Sequence, residues 1–268
     1  ISICMLRSVH TQLRWLNKKM EYHNDANHLF ANLKAIIFGS ILFDCNESNK
    51  WFEKACLQLD KEVKSQILND GGHFELSPMY HSIILEDIID IINILKRFHY
   101  RKKNKLIRNL EKKVKEMFYW LEAMSHNDRS ISFFNDACDN VAPTLRDLKS
   151  YAKNIGIKLM KPKNKDFIFL RDSGFAILKK GEFKVIIDIG QIGANIQPGH
   201  AHADTLSFEA SIKGNKFIVN SGISTYEESR IRMTQRSTSA HSTVEINDTN
   251  SSEIWKSFRV ARRAIVFN

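Results

Sequence analysis

Glycine is distributed unevenly along this chain, and that asymmetry limits the folds available to it. Of eleven glycines in 268 residues, three (Gly39, Gly71, Gly72) fall in residues 1–155 and eight in residues 156–268. Helix interiors exclude glycine because it gives up the most backbone freedom on folding, whereas tight turns between strands use it. The chain is therefore expected to be helical first and β-rich second.

The first part reads as successive helices. Residues 5–20 carry a helical pattern. Residues 27–43 place Leu29, Phe30, Leu33, Ile36, Ile37 and Phe38 on a wide apolar face. A third helix covers about 50–68. Ser77-Pro78 marks a helix start, with an N-cap residue followed by proline at the first helical position. The body of that helix, Ile83 to Leu95, is apolar nearly all round, which predicts deep burial. Residues 102–124 are amphipathic, and Pro143 is read as opening a last helix that ends near Asn154. Short connections predict antiparallel neighbours stacked in pairs.

After a linker at about 156–165 the apolar period becomes two. Strands are expected at 167–169, 175–178, 183–189, 205–212 and 216–220, with Lys180-Gly181 and Lys213-Gly214-Asn215 as turns. In the 205–212 strand, Leu206, Phe208, Ala210 and Ile212 face one way and Thr205, Ser207, Glu209 and Ser211 the other. The reading is antiparallel β with one face buried and one wet. Residues 257–268 also read as a strand. The chain begins at Ile1 with no signal-peptide pattern, and a fragment of a longer polypeptide is expected.

Composition narrows the function classes. With 43% hydrophobic and 26% charged residues, the chain is neither collagen-like nor globally disordered. Its longest apolar runs stop well short of the roughly 20 residues that a bilayer span needs. Cys4, Cys45, Cys56 and Cys138 show no C-x-x-C spacing, which argues against a disulfide framework or a cysteine zinc site. Lys and Arg outnumber Asp and Glu 40 to 30, a formal charge of +10 that suits an acidic partner. The basic run that starts at Arg101-Lys102-Lys103 and continues to Lys115 reads as a solvated helix face. It lacks interleaved aromatics and any nucleic-acid motif.

Four clusters could carry chemistry: Asn27-His28, residues 71–81, residues 198–204 and residues 236–243. Tyr80 follows Ser77-Pro78 and so belongs to the first helical turn, where free N–H groups and the positive end of the helix dipole would favour a phenolate. A tyrosine so placed can accept or donate a proton, although a buried, hydrogen-bonded aromatic is the plainer reading. His200, His202 and Asp204 follow a strict period of two, so an extended segment would point all three the same way. Two histidines and a carboxylate resemble part of a zinc site that His241 could complete; a hydrogen-bonded loop anchor is the alternative.

Taken together these clusters resemble the heparinase II/III-like polysaccharide lyase family. The segments PGHAHADTLSFEASIKGNKFIVNSGISTY (198–226), RSTSAHSTVEIND (236–248), NHLFANLKAIIFGSILF (27–43) and DGGHFELSPMYH (70–81) are similar to family motifs in the family's order. The resemblance implies a mixed fold, α then β. An incomplete α/α toroid of antiparallel helices over residues 1–158 precedes a truncated antiparallel β-sandwich over 159–268. It implies β-elimination on a uronic acid unit of an acidic polysaccharide, with a cleft between the domains and a periplasmic or secreted setting. By motif, Asn27 would bind the uronate carboxylate, and His28 would help neutralise it or act as base on one epimer. Tyr80 would protonate the leaving oxygen or also act as base, and His200 would support neutralisation or position Tyr80. Glu75 and Arg236 would be second-tier substrate-binding groups.

The resemblance implies no cofactor for the chemistry. In metal-containing relatives a structural zinc is held by ligands matching His202, a family Asp that is Asn220 here, and His241. Asn220 is a poorer ligand than a carboxylate. Ala31 also stands where the family commonly has Glu. A uronate C5-epimerase on the same scaffold, or a non-catalytic acidic-glycan-binding or polysaccharide-assembly protein, are the alternatives. A nucleic-acid binder is a distant one, and oligomeric state is left open.

Overall fold

The computed structural model describes residues 2–24, 26–98, 103–159 and 165–267. Arg101 and Lys102 of the basic run, and residues 160–164 of the expected linker, lie outside the described residues. Six helices come first: α1 (Ile3–Lys18), α2 (Asn27–Ile41), α3 (Asn46–Gln66), α4 (Pro78–Arg97), α5 (Asn104–Ala123) and α6 (Leu145–Asn154). Strands β1 (Phe167–Leu170), β2 (Phe175–Lys180), β3 (Phe183–Asp188), β4 (Phe208–Ile212) and β5 (Asn215–Ile218) follow. Then come α7 (Arg230–Arg236) and the short pair β6 (Ile254–Trp255) and β7 (Arg259–Val260). The chain forms two compact units that alternate along the sequence: Ile1–Ile67 with Glu86–Val114, and Leu68–Leu85 with Lys115–Asn268.

In the first unit, α2 buries Leu29, Phe30, Leu33, Ile36 and Ile37, and α3 buries Trp51, Phe52, Leu59 and Val63. Gly39 lets the Leu13 side chain pack closely here. A Cβ at that position would sit 2.4 Å from a Leu13 methyl carbon of α1. Lys34 of α2 forms ion pairs with Asp87, at 2.7 Å, and with Asp90 of α4, at 2.5 Å. The unit's only unusual backbone is at Ala26, among its described residues. Ala26 takes φ 142° immediately before α2, a conformation that costs energy for any residue with a Cβ.

In the second unit, strands β1 to β5 form a sheet in sequential order, every pair antiparallel. Ile168, Leu170, Phe175, Ile177 and Ile186 pack on Leu76, Trp120, Ala123, Met124 and Phe134. The Asp70-Gly71-Gly72 loop is keyed to this core. Asp70 accepts hydrogen bonds from the backbone and hydroxyl of Ser173 at 2.7 and 2.8 Å. The Ser173 hydroxyl in turn accepts from the Trp120 indole at 2.8 Å. A Cβ on Gly72 would lie 2.6 Å from that indole nitrogen, so this glycine serves close packing.

Three expectations change. First, the expected 205–212 strand is confined to Phe208–Ile212, and its faces are not cleanly divided: Ser207, Glu209 and Ser211 are buried, while on the other face Ala210 is buried and Leu206 and Ile212 are exposed. The polar face is satisfied inside: Glu209 meets His126 at 2.7 Å and accepts from the backbone N–H of Phe133 at 2.6 Å, while Ser211 meets the other nitrogen of His126 at 3.0 Å. The apolar face joins Phe167, Phe169, Leu178, Phe183 and Phe217 on the exposed side of the sheet. Second, Pro143 lies outside α6. Thr144 is its N-cap and accepts from the Asp147 N–H at 3.2 Å. Third, in the segment from 257 onward only Arg259 and Val260 are strand, because that pairing is limited to the β6–β7 hairpin.

Candidate active site

Ser77 caps α4 as the Ser77-Pro78 pair predicts: its hydroxyl accepts from the Tyr80 N–H at 3.2 Å. That brings Tyr80 into the first turn. The Tyr80 ring stacks on His200, with centroids 3.9 Å apart. Its hydroxyl lies 2.9 Å from the hydroxyl of Tyr226, on the segment between β5 and α7. Tyr226 in turn stacks on Phe258, at 5.6 Å, and the Arg232 guanidinium lies over both rings at 5.2 and 5.4 Å. A phenol pair within a partly buried aromatic cluster results.

The helix N-terminus does not make Tyr80 a phenolate. Burial pushes its hydroxyl up to about 12; the bond to Tyr226 opposes this, and the Asp136 and Glu75 charges add to the rise. Tyr226 is raised further, by burial, by Asp136 and by its bond to Tyr80. Both phenols therefore rest protonated, and Tyr80 is equipped to donate a proton.

His200 comes from a loop, not from a strand, so the strict period of two does not carry through. His200 and His202 nevertheless converge, because both grip Asp136. His200 Nδ1 is 2.8 Å from Asp136 Oδ2, and His202 Nε2 is 2.8 Å from Asp136 Oδ1. Asp204 does not join them. It neighbours the buried Asp188, whose carboxyl is raised by burial and then by the Asp204 charge. Arg232 forks onto the same Asp136 carboxylate through both terminal nitrogens. Burial works to raise the Asp136 carboxyl, but the bonds from His200, His202 and Arg232 outweigh it and hold it far below the usual carboxylate range.

Glu75 is buried with one oxygen 3.5 Å from His200 Nε2 and the other 3.5 Å from His73 Nδ1. It backs His200 and has almost no exposed surface to offer a substrate. Arg236 must be reassigned. It is fully buried, and its guanidinium donates to the carbonyls of Ala201, Lys256 and Arg259 at 2.8 to 3.2 Å. Those bonds tie the histidine loop to the β6–β7 hairpin, which gives Arg236 a structural role. His81 is structural too. It stacks on Trp120 at 4.4 Å and accepts from the His73 N–H at 3.2 Å.

Asn27 and His28 belong to the first unit, where they open α2. His28 is exposed, 3.8 Å from Glu21, and its carbonyl accepts from Asn32 at 2.9 Å. Asn32 also donates to Glu21 at 2.9 Å, so Asn32 holds both ends of that pair.

The residues matching the family's zinc ligands form a hydrogen-bonded chain. His202 Nδ1 faces His241 Nε2 at 3.2 Å, and His241 Nδ1 faces Asn220 Oδ1 at 3.2 Å. A metal needs those facing nitrogens as lone pairs converging on one point, with a third charged donor. Asn220 offers a neutral amide, and the adjacent Asp136 carboxylate is taken by Arg232 and the two histidines. Among the described residues no group of three His, Cys, Asp or Glu converges on a metal position. The donor set does not fit zinc.

Tyr226, Asp136 and Arg232 carry much of this geometry and had no assigned role in the sequence reading. Tyr226 ends the 198–226 motif, so a signal for it existed. Asp136 lies in a loop with no motif around it.

The chain matches the model described as Heparinase II/III N-terminus over residues 3–165 and the model described as Heparinase II/III-like, C-terminal over residues 162–268. It is 25% identical over 262 residues to a heparin-sulfate lyase of Pedobacter heparinus, covering 91% of this chain and 39% of that protein. A heparin-sulfate lyase of Bacteroides stercoris is 25% identical over 252 residues, covering 85% of this chain and 37% of the relative. Among solved structures, heparinase III aligns with a TM-score of 0.74 at 18% identity, covering 90% of this chain and 42% of the other. A heparan sulfate lyase HepC mutant from Pedobacter heparinus aligns with a TM-score of 0.69 at 24% identity, covering 92% and 41%. These two likenesses show the fold, an α/α toroid portion followed by an antiparallel sheet of a β-sandwich. The chain spans about two fifths of the length of the relatives it matches. With both family models matched end to end across it, the chain belongs to the heparinase II/III family.

Proposed function

We propose that this chain carries the proton-transfer groups of a lyase that cleaves a uronate-containing acidic polysaccharide by β-elimination. The observation that carries the reading is the Tyr80 hydroxyl, protonated at rest, stacked on His200 and paired with Tyr226. The relatives' names point to a glycan of the heparin or heparan sulfate class, and the formal charge of +10 favours capture of such a polyanion.

The chemistry has two demands. The C5 proton of a uronate is a poor acid because the neighbouring carboxylate is already negative, so that carboxylate must be neutralised as charge develops. Asn27 and His28 take this role by motif. A base then removes the C5 proton, the C4–O bond breaks, and the electron pair forms the C4–C5 double bond. The departing C4 oxygen needs a proton in the same event, which Tyr80 supplies. The second phenol, Tyr226, is placed to return a proton to Tyr80. His200 supports the carboxylate or the ring of Tyr80.

The test is ultraviolet absorbance of the conjugated double bond, followed against a panel of uronate-containing polysaccharides. A rise with one substrate supports elimination and names the sugar class. No rise across the panel, with the intact protein that contains this chain, would shift the reading to a uronate C5-epimerase or an acidic-glycan-binding protein. Unchanged turnover by Tyr80→Phe would remove Tyr80 from the mechanism.

A further inference from the structure

We propose that Asp136 is a positioning residue for this reaction, one that sets the ring of His200 and the helix start of Tyr80 together. The inference rests on the lyase reading above.

Asp136 has no exposed side-chain surface. Its carboxylate receives His200 Nδ1 and Arg232 Nη2 on Oδ2, each at 2.8 Å, and His202 Nε2 on Oδ1 at 2.8 Å with Arg232 Nη1 beside it. Its backbone is engaged on both sides as well. The Asp136 N–H donates to the carbonyl of His200 at 3.0 Å. The Asp136 carbonyl accepts from the Ser77 hydroxyl at 2.6 Å. That hydroxyl also accepts the Tyr80 N–H, so it is the cap of α4. Asn135 repeats the bridge one residue earlier. Its amide donates to the Leu76 carbonyl at 2.9 Å and accepts the His202 N–H at 3.3 Å. Asn135 has φ 58°, a left-handed turn that asparagine tolerates, and this lets two consecutive residues reach both segments.

Two consequences follow. The segment that carries Tyr80 and the loop that carries His200 are fastened through one dipeptide, which explains how rings so far apart in sequence keep a 3.9 Å stack. The ring state of His200 is also set. An ionised carboxylate only accepts, so His200 Nδ1 must carry a hydrogen and donate it. Nε2 is left on the Glu75 side, 3.5 Å from Oε1. As a source of stability alone, a buried Asp–Arg pair returns little against its desolvation. Here it holds an anion in place as a fixed acceptor for two imidazoles.

The test has two arms. The first uses the unaltered protein labelled with 15N-histidine, with the His200 ring signals assigned by their loss in His200→Gln. A hydrogen held on Nδ1 is expected. A ring protonated on Nε2 alone, or averaging between tautomers, overturns the proposal whatever the kinetics show. The second arm measures Asp136→Asn and Asp136→Glu on a uronate polysaccharide that the protein cleaves. Asp136→Asn is expected to lower kcat by about 100-fold, the scale of a small misplacement of reacting groups, with KM within about threefold. Asp136→Glu, which keeps the anion, should recover part of kcat. Equal kcat in a folded Asp136→Asn overturns the proposal. If that variant does not fold, the tautomer of the unaltered protein decides. Absence of turnover on every substrate removes the lyase reading and the role in elimination with it. Turnover combined with the wrong tautomer removes only the positioning role.

Discussion

The Tyr80 and Tyr226 hydroxyls meet at 2.9 Å although 146 residues separate them. The pair joins the first turn of α4 to the segment before α7, and both phenols are raised above their ordinary values by burial. Tyr80 therefore rests protonated at pH values well below about 12, and a resting phenolate is not expected there.

The kinetic consequence is asymmetric between the two tyrosines. Tyr80→Phe should lower kcat by about 10²–10⁴-fold, the usual loss for a general acid. Tyr226→Phe keeps the ring on Phe258 and should cost about tenfold, since Tyr80 loses a partner but not its proton. Because the Tyr80 hydroxyl is pushed up to about 12, it stays protonated on the acid side of that value. No alkaline loss of activity assignable to Tyr80 should appear before pH approaches 12. A steady-state pH profile of both variants checks this, and an alkaline limb near pH 9 that vanishes in Tyr80→Phe would contradict it.

Metal dependence should be absent in the native chain. Chelator and added zinc are expected to leave the melting temperature unchanged. Asn220→Asp alone should not create a zinc site, because residue 220 meets Nδ1 of His241 and His202 meets Nε2, so the donors stay in a chain. Zinc content by mass spectrometry gives the second readout. Stoichiometric zinc in the native protein would overturn the expectation.

Lys184 should impose a pH dependence on stability. Its ammonium is buried, donating to the carbonyls of Glu122 and Ser125, and burial followed by the Lys179 charge lowers it from 10.5 to about 7. Between these values the unfolded chain binds more protons than the folded one, so stability rises with pH from about 7 to 10.5 and is flat from this group below 7. The slope is at most about 1.4 kcal/mol per pH unit. Lys184→Met should flatten that slope in chemical denaturation. Parallel pH curves for the two proteins would remove Lys184 as the cause.

The exposed apolar face of the sheet should bind hydrophobic dye. Phe167, Phe183 and Phe217 are each more than a third exposed, and the rings of Phe183 and Phe217 lie 6.0 Å apart. A contiguous patch of this kind favours association. Phe167→Lys combined with Phe183→Lys should lower dye fluorescence and raise solubility of the chain, while leaving the buried face of the sheet intact. Unchanged dye binding would show that the patch lies elsewhere.

Local chemistry determined a great deal here from sequence alone. The glycine asymmetry placed helices before strands. Ser77-Pro78 placed the start of α4 because a cap and a proline act within one turn. Lys213-Gly214-Asn215 placed the β4–β5 turn for the same reason, with Lys213 and Gly214 both at positive φ. The ordered motifs carried Tyr80, His200 and the family. Tertiary structure decided what depends on partners distant along the chain. Alternation in 205–212 defined two faces but not which one is inside, since that depends on His126 and the backbone at Phe133. Position in the first turn suggested a phenolate at Tyr80, but burial, with the Asp136 and Glu75 charges, reversed the direction against the opposing bond to Tyr226. Arg236 acquired its contacts to three carbonyls only in the fold. Asp136 had no sequence signal at all, because a buried carboxylate acquires its role only when two histidines and an arginine converge on it.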